Sequence, residues 1–257
     1  MVMALMVNAA CGCFIGTGRS NNEDNFFFDK KHLPVPNKGM KNPLKYSGTT
    51  DEPIVFAIFD GMGGECKGAE AACLSGEIFS SEYKKLKELA ISGKEFMYNC
   101  CEKANAAVNQ YRRDMQLSAS GSTAAAIYFC QDEVVACNVG DSKIFRIRDQ
   151  KMLQISQDHT DEKIMAAMGI RKKPVLLQYL GVPDTEMAIE PYISKGALES
   201  EDVYVLCSDG VTDVMDVADM YEIICKFGAD ESVRQILAEV NRRNGADNAT
   251  VIVIKIA

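Results

Sequence analysis

The spacing of apolar positions changes in blocks along this chain, and the blocks predict its elements. Met1–Val7 and Cys13–Thr17 are apolar runs of strand length, and Asn25–Asp29 carries three consecutive phenylalanines. Residues 30–53 hold four prolines and five lysines and read as one long loop. The uninterrupted run Ile54–Phe59 predicts a buried strand that ends in a glycine-rich DGMGG. The spacing then lengthens to that of a helix over 69–90, with Ala71, Leu74, Ile78, Phe79, Tyr83, Leu86 and Leu89 on one face. Ser92-Gly93 breaks the pattern, and a second helix follows through Phe96, Met97, Cys100, Cys101, Ala104, Val108, Tyr111 and Met115.

From 121 to 156 the period shortens again. Ser122–Cys130, Glu133–Asn138, Lys143–Arg148 and Met152–Ser156 predict a meander of antiparallel strands, separated by turns at Gln131-Asp132, Gly140-Asp141 and Asp149-Gln150. A helical patch at Asp161–Met168 comes next, then strands at Met187–Ile193 and Val203–Cys207, helices over 216–227 and 230–242, and a last strand at Ala249–Ile256. Strands come in runs and do not alternate one for one with helices, which disfavours a doubly wound parallel sheet. The predicted fold is α+β: a central sandwich of two mostly antiparallel sheets flanked by helix pairs, in four layers. Neither a repeat nor a low-complexity linker divides the chain, so all 257 residues are read as one domain.

Charge and cysteine content narrow the function. With 28 basic and 36 acidic residues the net charge is −8, which argues against nucleic acid or an anionic membrane as the partner. The ten cysteines include no C-x-x-C pair, and only His32 and His159 are available beside them, so no structural zinc is expected. They read as reduced, mostly buried thiols. The apolar N-terminus lacks a basic flank and is too short for a signal peptide; the expected location is the cytoplasm.

Acidic residues recur at strand ends: Glu23-Asp24, Asp60-Gly61, Gly140-Asp141, Asp209-Gly210 and Asp247-Asn248. Any one of them is ordinary turn chemistry. Five on one sandwich can converge at a rim, where crowded carboxylates raise one another's pKa and a divalent cation relieves the repulsion. An all-oxygen set suits Mg²⁺ or Mn²⁺, and a carboxylate shared by two ions gives the arrangement used for phosphoryl hydrolysis. Gly61, Gly63 and Gly64 would permit unusual backbone angles and bring a carbonyl close to a metal.

The ordered blocks RSNNED (Arg19–Asp24), FDGMGG (Phe59–Gly64), GSTA (Gly121–Ala124), NVGDSK (Asn138–Lys143), QDHT (Gln157–Thr160), CSDGVTD (Cys207–Asp213) and GADNAT (Gly245–Thr250) span nearly the whole chain. Their series resembles the PPM/PP2C family of metal-dependent protein phosphatases, in its bacterial branch. The resemblance implies hydrolysis of phosphoserine and phosphothreonine with two or three Mg²⁺ or Mn²⁺ ions, by direct attack of a metal-bridging water. It implies Asp60 as the bridging ligand with the Gly61 carbonyl on one metal, and Asp209 and Asp247 on the other. Asp141, with Asp209, matches a third, weaker position. Glu23 and Asp24 match residues that hold metal-bound water, and Arg19 matches the clamp on the substrate phosphate.

Many eukaryotic relatives have a histidine where Met62 stands, which leaves the general acid unassigned; metal-bound water is one substitute and His159 another, although a lone histidine after a strand is more often structural. The region between His159 and Met187, a flap beside the active site in relatives, looks short here. The basic segments 30–45 and Arg171–Lys173 read as solvated loops, with contact to an acidic phosphopeptide as the other reading. Expected partners are phosphorylated proteins, the targets of a Ser/Thr kinase, with the enzyme a monomer. The alternatives are a catalytically silent phosphoprotein-binding module and a phosphatase of small phosphate esters.

Overall fold

A computed structural model describes residues 4–62, 67–86, 91–172, 174–183 and 185–257. Two antiparallel sheets face each other. One has the strand order β3 (Leu44–Thr49), β1 (Met6–Phe14), β12 (Ala249–Ile256), β11 (Val203–Cys207), β8 (Lys143–Arg148), β9 (Lys151–Gln154). The other runs β10 (Tyr192–Ala197), β7 (Glu133–Val139), β6 (Ala124–Cys130), β4 (Ile54–Met62), β2 (Asp24–Phe27), with the two-residue β5 (Gly121–Ser122) on the end of β4. Helices α1 (Gly68–Lys85) and α2 (Gly93–Asp114) cover the second sheet, while α5 (Val217–Lys226) and α6 (Ala229–Arg242) cover the first. The short α3 (Glu162–Ala167) buries no residue, and α4 (Asp209–Thr212) is a single turn after β11.

Strand periodicity sorts side chains between three cores. In β4, Ile54, Phe56 and Ile58 point between the sheets, while Val55, Ala57 and Phe59 pack under α1 and α2. In β12, Ile252, Ile254 and Ile256 face the inter-sheet core, and Ala249, Val251 and Val253 face α5 and α6. A strand buried on both faces has no polar alternation, which is why Ile54–Phe59 reads as a continuous apolar run. Six cysteines (Cys11, Cys13, Cys100, Cys101, Cys137, Cys207) are buried in these layers, Cys225 is exposed, and Cys66 lies outside the described residues.

Several expectations need correction. The predicted runs Met1–Val7 and Cys13–Thr17 are not separate strands: β1 takes in Met6, Val7, Cys13 and Phe14 and passes through Asn8, which faces outward and bonds Ser47 at the surface, while residues 1–3 lie outside the described residues. The stretch 30–53 is not all loop: residues 44–49 add an edge strand to β1, their weak apolar pattern reflecting a half-exposed edge. The four strands of 121–156 do not form one meander. Hairpins β6–β7 and β8–β9 are present, but between them the chain crosses from one sheet to the other at Gly140, whose φ of +97° belongs to a conformation glycine favours. The predicted strand Met187–Ile193 lies further on, at Tyr192–Ala197.

Candidate active site

The crossing at Gly140 and the ends of β4 and β11 meet at one rim of the sandwich. A cleft of ≈ 280 Å³ opens there, lined by Arg19, Glu23, Asp60, Gly61, Met62, Asp141, Asp209 and Asp247 among others, with Pro174 and Leu176 from the flap region. Seven of the eight residues singled out in the sequence reach this cleft. The eighth, Asp24, lies directly beneath it, on β2 and opposite Asp60 in the register with β4.

Asp24 is 1% exposed, and its Oδ2 accepts hydrogen bonds from Ser208 Oγ (2.8 Å) and Thr250 Oγ1 (2.7 Å), both on the opposite sheet side. Its Oδ1 is buried and has no hydrogen-bond partner. Burial, opposed by the two hydroxyls and reinforced by Asp209 and Asp247, pushes the Asp24 carboxyl up to about 7. Asp60 is pushed well above the usual carboxylate range by loss of hydration, then by Asp24, Asp209 and Asp141. Asp141 is raised to about 6 by the same desolvation and by Asp209, with Lys143 opposing. Three crowded carboxyls, Asp24, Asp60 and Asp141, that lose hydration and are raised by their neighbours, with a buried carboxylate oxygen left unpaired, make a donor set suited to cations. Its all-oxygen chemistry fits Mg²⁺ or Mn²⁺.

The surrounding polar side chains fix these carboxylates. Thr123 Oγ1 accepts the Asp60 N–H (3.1 Å) and bonds Ser142 Oγ (2.6 Å), tying the end of β4 to the start of β8. Asn248 accepts the Glu23 N–H (2.8 Å) and donates to the carbonyls of Ile15 (2.7 Å) and Asn21 (3.1 Å), so it pins the loop bearing Arg19 and Glu23. The Asn248 N–H donates to Asp247 Oδ1 (2.8 Å), and Arg19 Nη2 donates to Asp247 Oδ2 (2.7 Å). Sequence reasoning assigned none of Thr123, Ser208, Asn248 or Thr250, although the motifs GSTA, CSDG and GADNAT contain them.

Gly61 is required for a reason other than backbone angle. It sits within β4, and a Cβ there would lie 2.3 Å from the Gly68 carbonyl oxygen and 2.5 Å from that of Glu23. The N-terminus of α1 is therefore pressed against the rim. Gly63 and Gly64 lie outside the described residues.

His159 does not line the cleft. Its Nδ1 accepts the Gly140 N–H (3.2 Å) and its own N–H donates to the Gly140 carbonyl (2.9 Å), a clasp on the turn that presents Asp141. Burial lowers its pKa, which favours the neutral acceptor form. Arg171 and Lys172 are exposed, and Lys173 lies outside the described residues.

Comparison with known proteins agrees with this geometry. A family model, protein phosphatase 2C, matches residues 44–248, and the chain belongs to that family. Asp60, Gly61, Asp141, Asp209 and Asp247 fall within the match, while Arg19, Glu23 and Asp24 precede it. The serine/threonine phosphatase stp of Listeria innocua is 28% identical over 217 residues, covering 79% of this chain and 84% of the relative. The serine/threonine protein phosphatase PstP of Mycobacterium tuberculosis is 25% identical over 241 residues, which are 82% of this chain and 44% of the relative. Among solved structures, the catalytic domain of PstP in complex with two manganese ions superposes with a TM-score of 0.79 at 24% identity, over 98% of this chain and 99% of that one. Stp1 of Staphylococcus aureus gives 0.78 at 21% identity, over 100% and 98%.

Proposed function

We propose that this protein phosphatase binds two divalent cations, Mg²⁺ or Mn²⁺, in the cleft and hydrolyses phosphoserine and phosphothreonine in proteins. The observation that carries the reading is electrostatic. Five carboxylates and one guanidinium line the cleft, so without cations it repels a phosphate dianion. Asp60, the Gly61 carbonyl, Asp209 and Asp247 would hold these ions. Asp141, next to Asp209, is assigned to a third and weaker position. When bound, the cations supply the Lewis acidity and charge neutralisation that attack on a phosphate monoester needs.

The chain's own groups supply the rest. Glu23, at the cleft wall, and Asp24, beneath it with a free Oδ1, hold and orient water on the side facing Asp60. Arg19 sits 47% exposed at the mouth, where its planar fork can leave Asp247 for a phosphate. Met62 lines the cleft and cannot transfer a proton, and His159 faces elsewhere, so the leaving serine or threonine takes its proton from solvent in the cleft. The intact carboxylate set weighs against a silent binding module.

The whole chain is assigned as a single catalytic domain that acts as a monomer on the products of a cytoplasmic Ser/Thr kinase. No described helix is long and apolar enough to cross a membrane. The decisive experiment is hydrolysis of a phosphothreonine peptide with Mn²⁺, with EDTA, and by Asp209→Asn. Turnover should need metal and fall by at least about 100-fold in the variant. A folded, metal-loaded protein without turnover would favour the binding module, and preference for small phosphate esters would replace the protein substrate.

A further inference from the structure

A second group of metal-binding side chains assembles away from the cleft, where the chain leaves β2. Asp29 and Lys30, with φ of 49° and 63°, turn the backbone so that residues 31–33 return alongside β2. Asn25 on β2 fixes that return: its Oδ1 accepts the Leu33 N–H (2.8 Å) and its Nδ2 donates to the Leu33 carbonyl (2.9 Å). His32 is thereby laid across α1 at Gly76, where a Cβ would already stand 3.2 Å from His32 Cβ. Cys73 and Glu77 flank that position, one turn apart on the same helix face.

The donors converge. One ring nitrogen of His32, the Cys73 sulfur and a Glu77 carboxylate oxygen all lie within 4.8 Å of one another. Cys73 Sγ is 3.9 Å from Glu77 Oε1. In a tetrahedral zinc site, bonds of about 2.3 Å to sulfur and about 2.0 Å to oxygen place such atoms roughly 3.5 Å apart. Moreover, His32 Nδ1 is buried and makes no hydrogen bond, an unpaired polar atom that calls for a partner.

We propose that His32, Cys73 and Glu77 form a binding site for Zn²⁺, or a cation of similar softness, separate from the catalytic cleft. A thiolate and an imidazole select against the hard ions that suit the cleft, so each site takes its own metal. The Cys73 thiol releases its proton to solvent on binding, and three protein ligands leave a fourth position for water on the exposed side of Glu77. The bound ion would staple the segment after β2 to α1. Both elements border the cleft, β2 through Asp24 and α1 through the contact of Gly68 with Gly61.

The test uses the full-length protein, stripped of metal, saturated with Mg²⁺ and titrated with Co²⁺ as an optical substitute for Zn²⁺. A thiolate-to-cobalt charge-transfer band should grow to one equivalent and be displaced by Zn²⁺. It should vanish in Cys73→Ser, persist in Asp209→Asn, and require at least tenfold more Co²⁺ in His32→Gln. Should Cys73→Ser fold poorly, Glu77→Gln on the helix surface serves in its place, with the same tenfold weakening expected. No band at millimolar Co²⁺, a band unchanged in Cys73→Ser, or unaltered affinity in both His32→Gln and Glu77→Gln would overturn the site. None of these readouts depends on phosphatase turnover.

Discussion

Asp24 and Asp60 stand opposite each other in the antiparallel register of β2 and β4, with Asp24 fully buried and Asp60 at the floor of the cleft. Burial raises the pKa of both, Asp209 adds to each, and Asp24 adds to Asp60, so this pair cannot be fully charged without help. Its position turns a sheet register into a requirement for cations.

That pairing has a consequence for pH. The Asp24 carboxyl titrates near 7 in the fold against about 4 in an unfolded chain, so between those values the folded protein binds more protons. The sign follows: in the metal-free protein this group lowers stability as pH rises from about 4 to 7. With EDTA, the melting temperature should lose ground from pH 5 to pH 8 relative to Asp24→Asn, and saturating Mg²⁺ should remove the difference. A metal-free wild type that follows Asp24→Asn across this range would show that the pair carries no such repulsion.

Arg19 exchanges partners in the proposed cycle, from Asp247 to the substrate phosphate. Arg19→Lys keeps the charge and loses the fork, so KM for a phosphothreonine peptide should rise roughly tenfold, about 1.4 kcal/mol, with kcat changed less. An equal fall in kcat with KM unchanged would instead place Arg19 in transition-state stabilisation only.

Gly61→Ala tests the close approach of α1 to the rim. Its Cβ would meet backbone oxygens at 2.3 and 2.5 Å, so the strand end or the helix must shift. The expected cost is more than about 3 kcal/mol in urea unfolding, together with lost Mn²⁺ affinity measured by calorimetry. Near-normal stability would mean that the rim is loosely packed.

Asn248→Ala removes three hydrogen bonds that hold the loop carrying Arg19 and Glu23. At about 1 kcal/mol each, unfolding free energy should fall by roughly 2–3 kcal/mol. KM should rise alongside, because Arg19 loses its position; a stability loss with KM intact would confine Asn248 to the fold.

Much of this was legible in the residues. Ile54–Phe59 and Ala249–Ile256 read as strands because short, nearly continuous apolar runs suit elements buried on both faces, and the helical spacing that begins at residue 69 matches α1 as far as Lys85, the predicted Leu89 lying outside the described residues. The acidic positions Asp60, Asp141, Asp209 and Asp247 stand out in the sequence because each lies at a strand boundary, and in the structure they line one cleft. Other features depend on partners distant in sequence. Only the sheet pairing shows that Lys143–Arg148 joins β11 and not β7, since a hairpin and a sheet crossing share the same turn residues. Asp24 and Ser208 are 184 residues apart, and no local pattern tells that a hydroxyl will anchor that carboxylate. The cysteine spacing measures separation along the chain and is silent on the approach of His32 to Cys73. His32 and Cys73 meet through a turn after β2 and the bare surface of Gly76, and ligand geometry is a property of space.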